Sequence, residues 1–149
     1  MAEYSGSDLT EEQKSCLARS KDGHNFLIQG KAGTGKSFVV CKMADCLRKF
    51  GKNVQLVAKW LTCFPITVHS FLGVGTASAP LSTVIQNATK RDVVKAALSE
   101  VDTVIWDECS MGSSRLLEMF HRIACVCRKS SEPFGGCQVG IYAYFSFII

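Results

Sequence analysis

An α/β fold, a parallel sheet flanked by helices, is predicted by three observations in the 149-residue chain. The eight residues Gly30-Lys31-Ala32-Gly33-Thr34-Gly35-Lys36-Ser37 match the phosphate-binding pattern G-x-x-x-x-G-K-S/T at every position. Apolar Phe26-Leu27-Ile28-Gln29 precedes the pattern and helical periodicity over 37–50 follows it, which is the strand-then-helix setting it needs. Thr103-Val104-Ile105-Trp106-Asp107-Glu108 is an apolar run ending in two carboxylates, the form of a buried parallel strand that delivers acids to the C-terminal edge of a sheet.

The remaining elements follow in chain order. Thr10 is placed to cap a helix, with Gln13 three residues on as its capping-box partner, and that helix runs to about Arg19. Asp22-Gly23 turns the chain into the first strand, and Gly51 closes the helix that follows the phosphate loop. A second strand spans 54–58, completing a βαβ unit. The pattern over 59–64 is ambiguous, Pro65 breaks it, and 73–80 is a small-residue loop leading to a helix somewhere within 81–99. Another helix spans about 114–127, and Gly135-Gly136 introduces a last apolar strand from Gln138.

Composition bounds the rest. With 47% hydrophobic residues the chain buries one core, so one domain is expected. The formal charge of +4 permits a nucleic-acid partner without requiring one, because no block of like charge stands out. The eight cysteines form no C-x-x-C pair and no signal-peptide pattern opens the chain, which points to a reduced, intracellular setting. His121 and Cys125 lie four apart on the helix expected over about 114–127, with Cys127 and Cys137 nearby; buried thiols explain them better than zinc, so no metal beyond Mg2+ is expected. Oligomeric state is left open, and no membrane partner is expected.

The chemistry follows from residue type. Gly30, Gly33 and Gly35 let the backbone turn so that the N–H groups around Ala32 and Thr34 converge on a phosphate at a helix N-terminus. Lys36 is placed to reach the β- and γ-phosphates of a nucleoside triphosphate, and the Ser37 hydroxyl to take a position on Mg2+. Asp107 would hold the same ion directly or through water, and Glu108 would act as general base on an attacking water. Two acids at that place imply hydrolysis in addition to binding.

These motifs, taken in order, resemble the first motor domain of the Pif (petite integration frequency) DNA helicases. The resemblance runs from about Leu9 to Gln138 through Leu9-Thr10-Glu11-Glu12-Gln13, the phosphate loop, Thr67-Val68-His69-Ser70-Phe71, Asp107-Glu108-Cys109-Ser110-Met111 and Pro133-Phe134-Gly135-Gly136-Cys137-Gln138. It implies a RecA-like P-loop NTPase sheet, here incomplete, and an ATP-dependent helicase that unwinds DNA and acts in repair, recombination and telomere maintenance. It further implies single-stranded or forked DNA as partner and a nuclear or mitochondrial location. By the same resemblance Gln13 reads the adenine, with a plain capping role as the alternative. His69 and Ser70 fall in a segment near the DNA-binding face, with a buried structural histidine as the alternative. Trp60 and Phe64 are placed in the core in preference to stacking bases.

The chain also departs from the family pattern. The space filled here by 59–66 is shorter than the family's Ser/Thr-Gly-x-Ala-Ala element, which puts DNA contact there in doubt. Residues 139–149 replace the segment carrying the family's γ-phosphate-sensing glutamine, and no second motor domain supplies arginines to the transition state. The expectation is a motor-domain half over 1–138 and a divergent apolar tail over 139–149, a read-through or frameshifted end. At eleven residues the tail is too short to span a bilayer; it either completes the sheet as a buried strand or stays exposed. Besides a helicase fragment unable to unwind alone, two readings stand: a nucleotide-binding module without motor activity, and a small P-loop kinase.

Overall fold

The computed structural model describes residues 9–31, 35–58, 66–76, 78–107, 109 and 114–144. Four strands form one sheet in the order β1-β4-β3-β2: β1 (Phe26–Gly30), β2 (Val54–Ala58), β3 (Thr103–Asp107) and β4 (Gln138–Tyr144). All three pairings are parallel, so every strand must return through a crossover that covers a face of the sheet. Helices α1 (Glu11–Lys21) and α2 (Lys36–Lys49) supply one layer. The other layer holds α3 (Val68–Leu72), α4 (Leu81–Thr89), α5 (Asp92–Glu100) and α6 (Ser114–Arg128).

Strand alternation sorts the core into these two layers. Val104 and Trp106 of β3 and Val139 of β4 pack with Leu98, Phe120 and Ile123 on the α3–α6 side. Ile105 and Tyr142 point the other way and pack with Val40, Met43 and Leu47 of α2. Every residue of β3 is buried, as expected of a parallel strand covered on both faces.

One expectation changes. The helix expected within 81–99 is two helices, α4 and α5, broken at Lys90 and Arg91, where Arg91 has extended backbone. The buried positions explain the break: Val84 and Ala88 are four apart, as are Val94 and Leu98, but Ala88 and Val94 are six apart. Six residues carry a side chain roughly 240° around a helix, so a continuous helix would point the second pair away from the core. The stretch between Pro65 and the 73–80 loop, to which no element is assigned from sequence, holds the short helix α3, capped by Thr67 Oγ1 accepting from the Ser70 N–H at 3.2 Å.

Of the two alternatives for the tail, the structure shows the strand. β4 crosses the 138/139 boundary and lies between β1 and β3, so the segment completes the sheet as a strand that is buried or half-buried from Gln138 to Ala143, and over those residues the exposed alternative falls away. Its aromatic and aliphatic run reads as a two-face-buried parallel strand. Trp60 and Phe64 lie outside the described residues. Among the described residues no helix is long and apolar enough to cross a membrane.

Candidate nucleotide-binding site

β1 ends at Gly30 and α2 begins at Lys36 with Gly35 as its N-cap. Gly35 has φ 75°, the left-handed region that favours glycine, and no side chain caps the terminus it opens. No acidic residue sits in the first turn of α2, so the positive end of the helix is left for an external anion. Ser37 is exposed in that turn. Ala32, Gly33, Thr34 and the side chain of Lys36 lie outside the described residues.

Asp107 closes β3 with 4% exposure, opposite Ala58 of β2. It alternates with Trp106 and therefore shares the face of Ile105, the face on which α2 packs. Consistent with that placement, burial pushes the Tyr142 phenol up, and the charges of Cys16 and Asp107 push in the same direction. Only β4 separates β3 from β1, so Asp107 and the start of the phosphate loop lie about 10 Å apart across the sheet by ordinary strand spacing. A hydroxyl and a carboxylate on one face beside a bare helix N-terminus form a hard-oxygen donor set that suits Mg2+ bridging phosphates. Glu108 lies outside the described residues.

Gln13 sits at the other wall of the loop. The expected capping box is present: Gln13 N–H donates to Thr10 Oγ1 at 3.2 Å and Thr10 N–H donates to Gln13 Oε1 at 3.0 Å. The cap uses Oε1 and leaves Nε2 turned toward the loop, where a Cβ on Gly35 would stand 3.3 Å from it. Capping and facing the nucleotide cleft are thus compatible roles of one side chain. The cleft beside it, about 270 Å3, is lined by Gln13, Cys16, Ile28, Gln29, Gly30 and Val39. Cys16, Ile28 and Val39 were not singled out from the sequence; their only signal is apolar character at positions flanking the two motifs.

His69 is half-buried and Ser70 exposed on α3. Thr67, which caps that helix, bridges to Ala58 at the end of β2, so both residues stand at the same sheet edge as Asp107, on the β2 side. His121 and Cys125 are used locally: His121 Nδ1 accepts the Phe134 N–H at 3.0 Å, and Cys125 Sγ donates to Glu132 O at 3.3 Å. Among the described residues no three His, Cys, Asp or Glu side chains gather as a metal site. A larger, more open groove of about 730 Å3 between α4 and α6 lies on the outer helical layer, away from the strand ends that carry the acids.

A phosphate loop between β1 and α2, an acid at the end of β3 and a parallel sheet covered on both faces define a P-loop NTPase of the RecA-like class. The sequence pattern of the family described as PIF1-like helicase matches residues 8–148, and the chain belongs to that family. Among relatives, ATP-dependent DNA helicase PIF1 of Danio rerio is 34% identical over 133 residues, which is 88% of this chain and 21% of that protein. The crystal structure of Pif1 helicase from Candida albicans superposes with a TM-score of 0.82 at 30% identity, covering 91% of this chain and 32% of that one. A Bacteroides Pif1 helicase in complex with ADP-AlF3 and ssDNA superposes with a TM-score of 0.73 at 25% identity, again over 91% of this chain and 32% of that one. The chain thus spans about a fifth of the length of the Danio rerio relative. Family membership sets aside the small-kinase reading.

Proposed function

We propose that this chain is the nucleotide-binding portion of an ATP-dependent DNA helicase, and that the helix N-terminus behind Gly35 receives the triphosphate. The observation that carries the reading is the uncapped α2 terminus, free of acidic residues, on the sheet face that also bears Asp107. In this reading the backbone around Gly30, Ala32, Gly33, Thr34 and Gly35 cradles the phosphates, and Lys36 contacts the β- and γ-phosphates. Ser37 and Asp107 would hold Mg2+, which would supply positive charge to the phosphates. Glu108 orients and deprotonates the attacking water, and Gln13 offers its amide to the adenine. His69 and Ser70 meet single-stranded or forked DNA at the β2 side of the same edge, a partner supported by the ssDNA-bound Bacteroides relative. Roles in repair, recombination and telomere maintenance, in the nucleus or mitochondrion, go with this reading.

Calorimetric titration of the 149-residue chain with ATP and Mg2+ tests it, with Lys36→Ala as control and circular dichroism to verify that both fold. Saturable binding in the unaltered chain and loss of most of the affinity in the variant are expected. A folded chain that binds no ATP would sink the reading. ATP binding without any single-stranded DNA binding or DNA-stimulated hydrolysis would leave the alternative, a nucleotide-binding module without motor activity.

A further inference from the structure

We infer that Gln138 is a positioning residue for nucleotide recognition: it holds α1, and through α1 the amide of Gln13, against the phosphate loop. The inference rests on the nucleotide reading above. Gln138 is 7% exposed and uses its whole amide on three segments. Nε2 donates to Ser20 O at 2.8 Å, in the last turn of α1, and to His24 O at 2.9 Å, just before β1. Oε1 accepts from Thr103 Oγ1 at 3.0 Å, at the start of β3. The amide orientation follows from this set, because the reverse would face an oxygen with two carbonyls.

The bonds matter because α1 is otherwise held by shallow packing on α2 and β1 and by Lys21 over the exposed Phe50 ring. Ser20 is its one buried residue; Gln13, Cys16 and Leu17 are half-buried, and most of the helix is polar and exposed. Cys16 and Leu17 reach only the margin of the α2-side core. Gln13 lies seven residues before Ser20, about 10 Å along the axis, so a rigid helix pinned at its last turn also fixes the direction of its first. Loss of the pin leaves α1 held only by its packing on α2 and β1 and by Lys21 over the Phe50 ring, and lets its first turn shift so that the Gln13 amide leaves its register with Gly35. The phosphate loop itself is held differently, since β1 stays paired with β4 from Phe26 to Gly30 whether or not the side chain of residue 138 bonds.

The consequence is selective, and it separates positioning from mere stability. Affinities for Mg2+-ATP and for Mg2+-tripolyphosphate, which has no base or sugar, are measured on the full chain and on Gln138→Met, Gln13→Ala and the double variant. Gln138→Met is expected to weaken ATP by about 3- to 10-fold while leaving tripolyphosphate unchanged, the range of one or two lost hydrogen bonds. Gln13→Ala should do the same, and the double variant should be no worse than either single, because both changes remove one contact. Equal weakening of both ligands, additive losses in the double variant, or unchanged ATP affinity in Gln138→Met would each overturn the inference while leaving the nucleotide reading intact. If the unaltered chain binds neither ligand, the nucleotide reading itself fails and the inference with it. Should Gln138→Met not fold, Thr103→Val, which keeps the shape and removes only the bond that orients the amide, takes its place with the same selective loss expected at smaller size.

Discussion

Gly140 of β4 lies directly beneath the ring of Phe26 on β1: the two are Cα partners in the parallel register, and a Cβ at position 140 would run into the outer edge of the Phe26 ring. The ring in turn packs edge-on against Tyr142 with centroids 6.4 Å apart. Gly140→Ala should therefore displace the ring and cost about 1–3 kcal/mol, the usual range for an overpacked core. Urea denaturation checks this, and Phe26→Leu in the same chain should recover part of the loss by opening space. An unchanged midpoint in Gly140→Ala would mean that β4 does not sit against β1 in this register.

Arg128 joins three elements through backbone carbonyls. Its Nε donates to Gly135 O at 2.8 Å, and one terminal nitrogen donates to Leu98 O and to Val101 O, each at 2.8 Å. Arg128→Met keeps the aliphatic stem but orphans three acceptors, and a loss of about 3 kcal/mol in urea denaturation is expected. Arg128→Lys should recover less than half, because an ammonium cannot serve the two directions that the planar guanidinium reaches. Gly135 is tied to the same place: it has φ 64°, and a Cβ there would meet Ala124 O at 2.7 Å.

Stability should fall in alkali through a buried thiol. Cys137 is 2% exposed, and burial pushes its thiol from 9.0 up to about 11, partly opposed by the Arg128 charge. Between those values the unfolded chain releases the proton and the folded chain keeps it, so the folded state binds more protons and loses stability as pH rises. The full contribution is present below pH 9.0 and is lost by about pH 11. It amounts to about 3 kcal/mol. Denaturation midpoints for the unaltered chain and Cys137→Ala measured from pH 8 upward should converge as the unaltered chain weakens; parallel curves would remove Cys137 as the cause.

Asp107→Asn preserves shape and removes one negative charge. If the carboxylate holds Mg2+ at the phosphates, the variant should lower Mg2+ affinity in the presence of ATP by about 10–100-fold. ATP binding measured in EDTA should be unchanged or stronger, since a negative group has left the vicinity of the phosphates. Identical Mg2+ dependence in variant and parent would take Asp107 out of the metal site.

Local signals in the sequence reached far. The Thr10 and Gln13 capping box, the strand and helix around the phosphate loop, and β2, β3 and α6 are all written in short stretches, because caps, glycine turns and hydrophobic periodicity act between residues a few positions apart. The misses share the opposite character. The break between α4 and α5 depends on which faces Val84, Ala88, Val94 and Leu98 present to a core built from other elements. The short helix α3 draws its bridge from Ala58, outside its own turn. The use of Gln138 could not be read locally, since its partners Ser20 and His24 lie 118 and 114 residues away.

What the sequence determined by itself is the phosphate loop, the acidic strand end and the family, because each is a matter of residue type at fixed spacing. The tertiary structure decided that residues 138–144 fill the gap between β1 and β3, that Asp107 faces α2, and that one glutamine ties α1 to the sheet. Parallel strands pair only after a long crossover, never through a local hairpin, so their order is set only when the crossover helices bury both faces of the sheet at once.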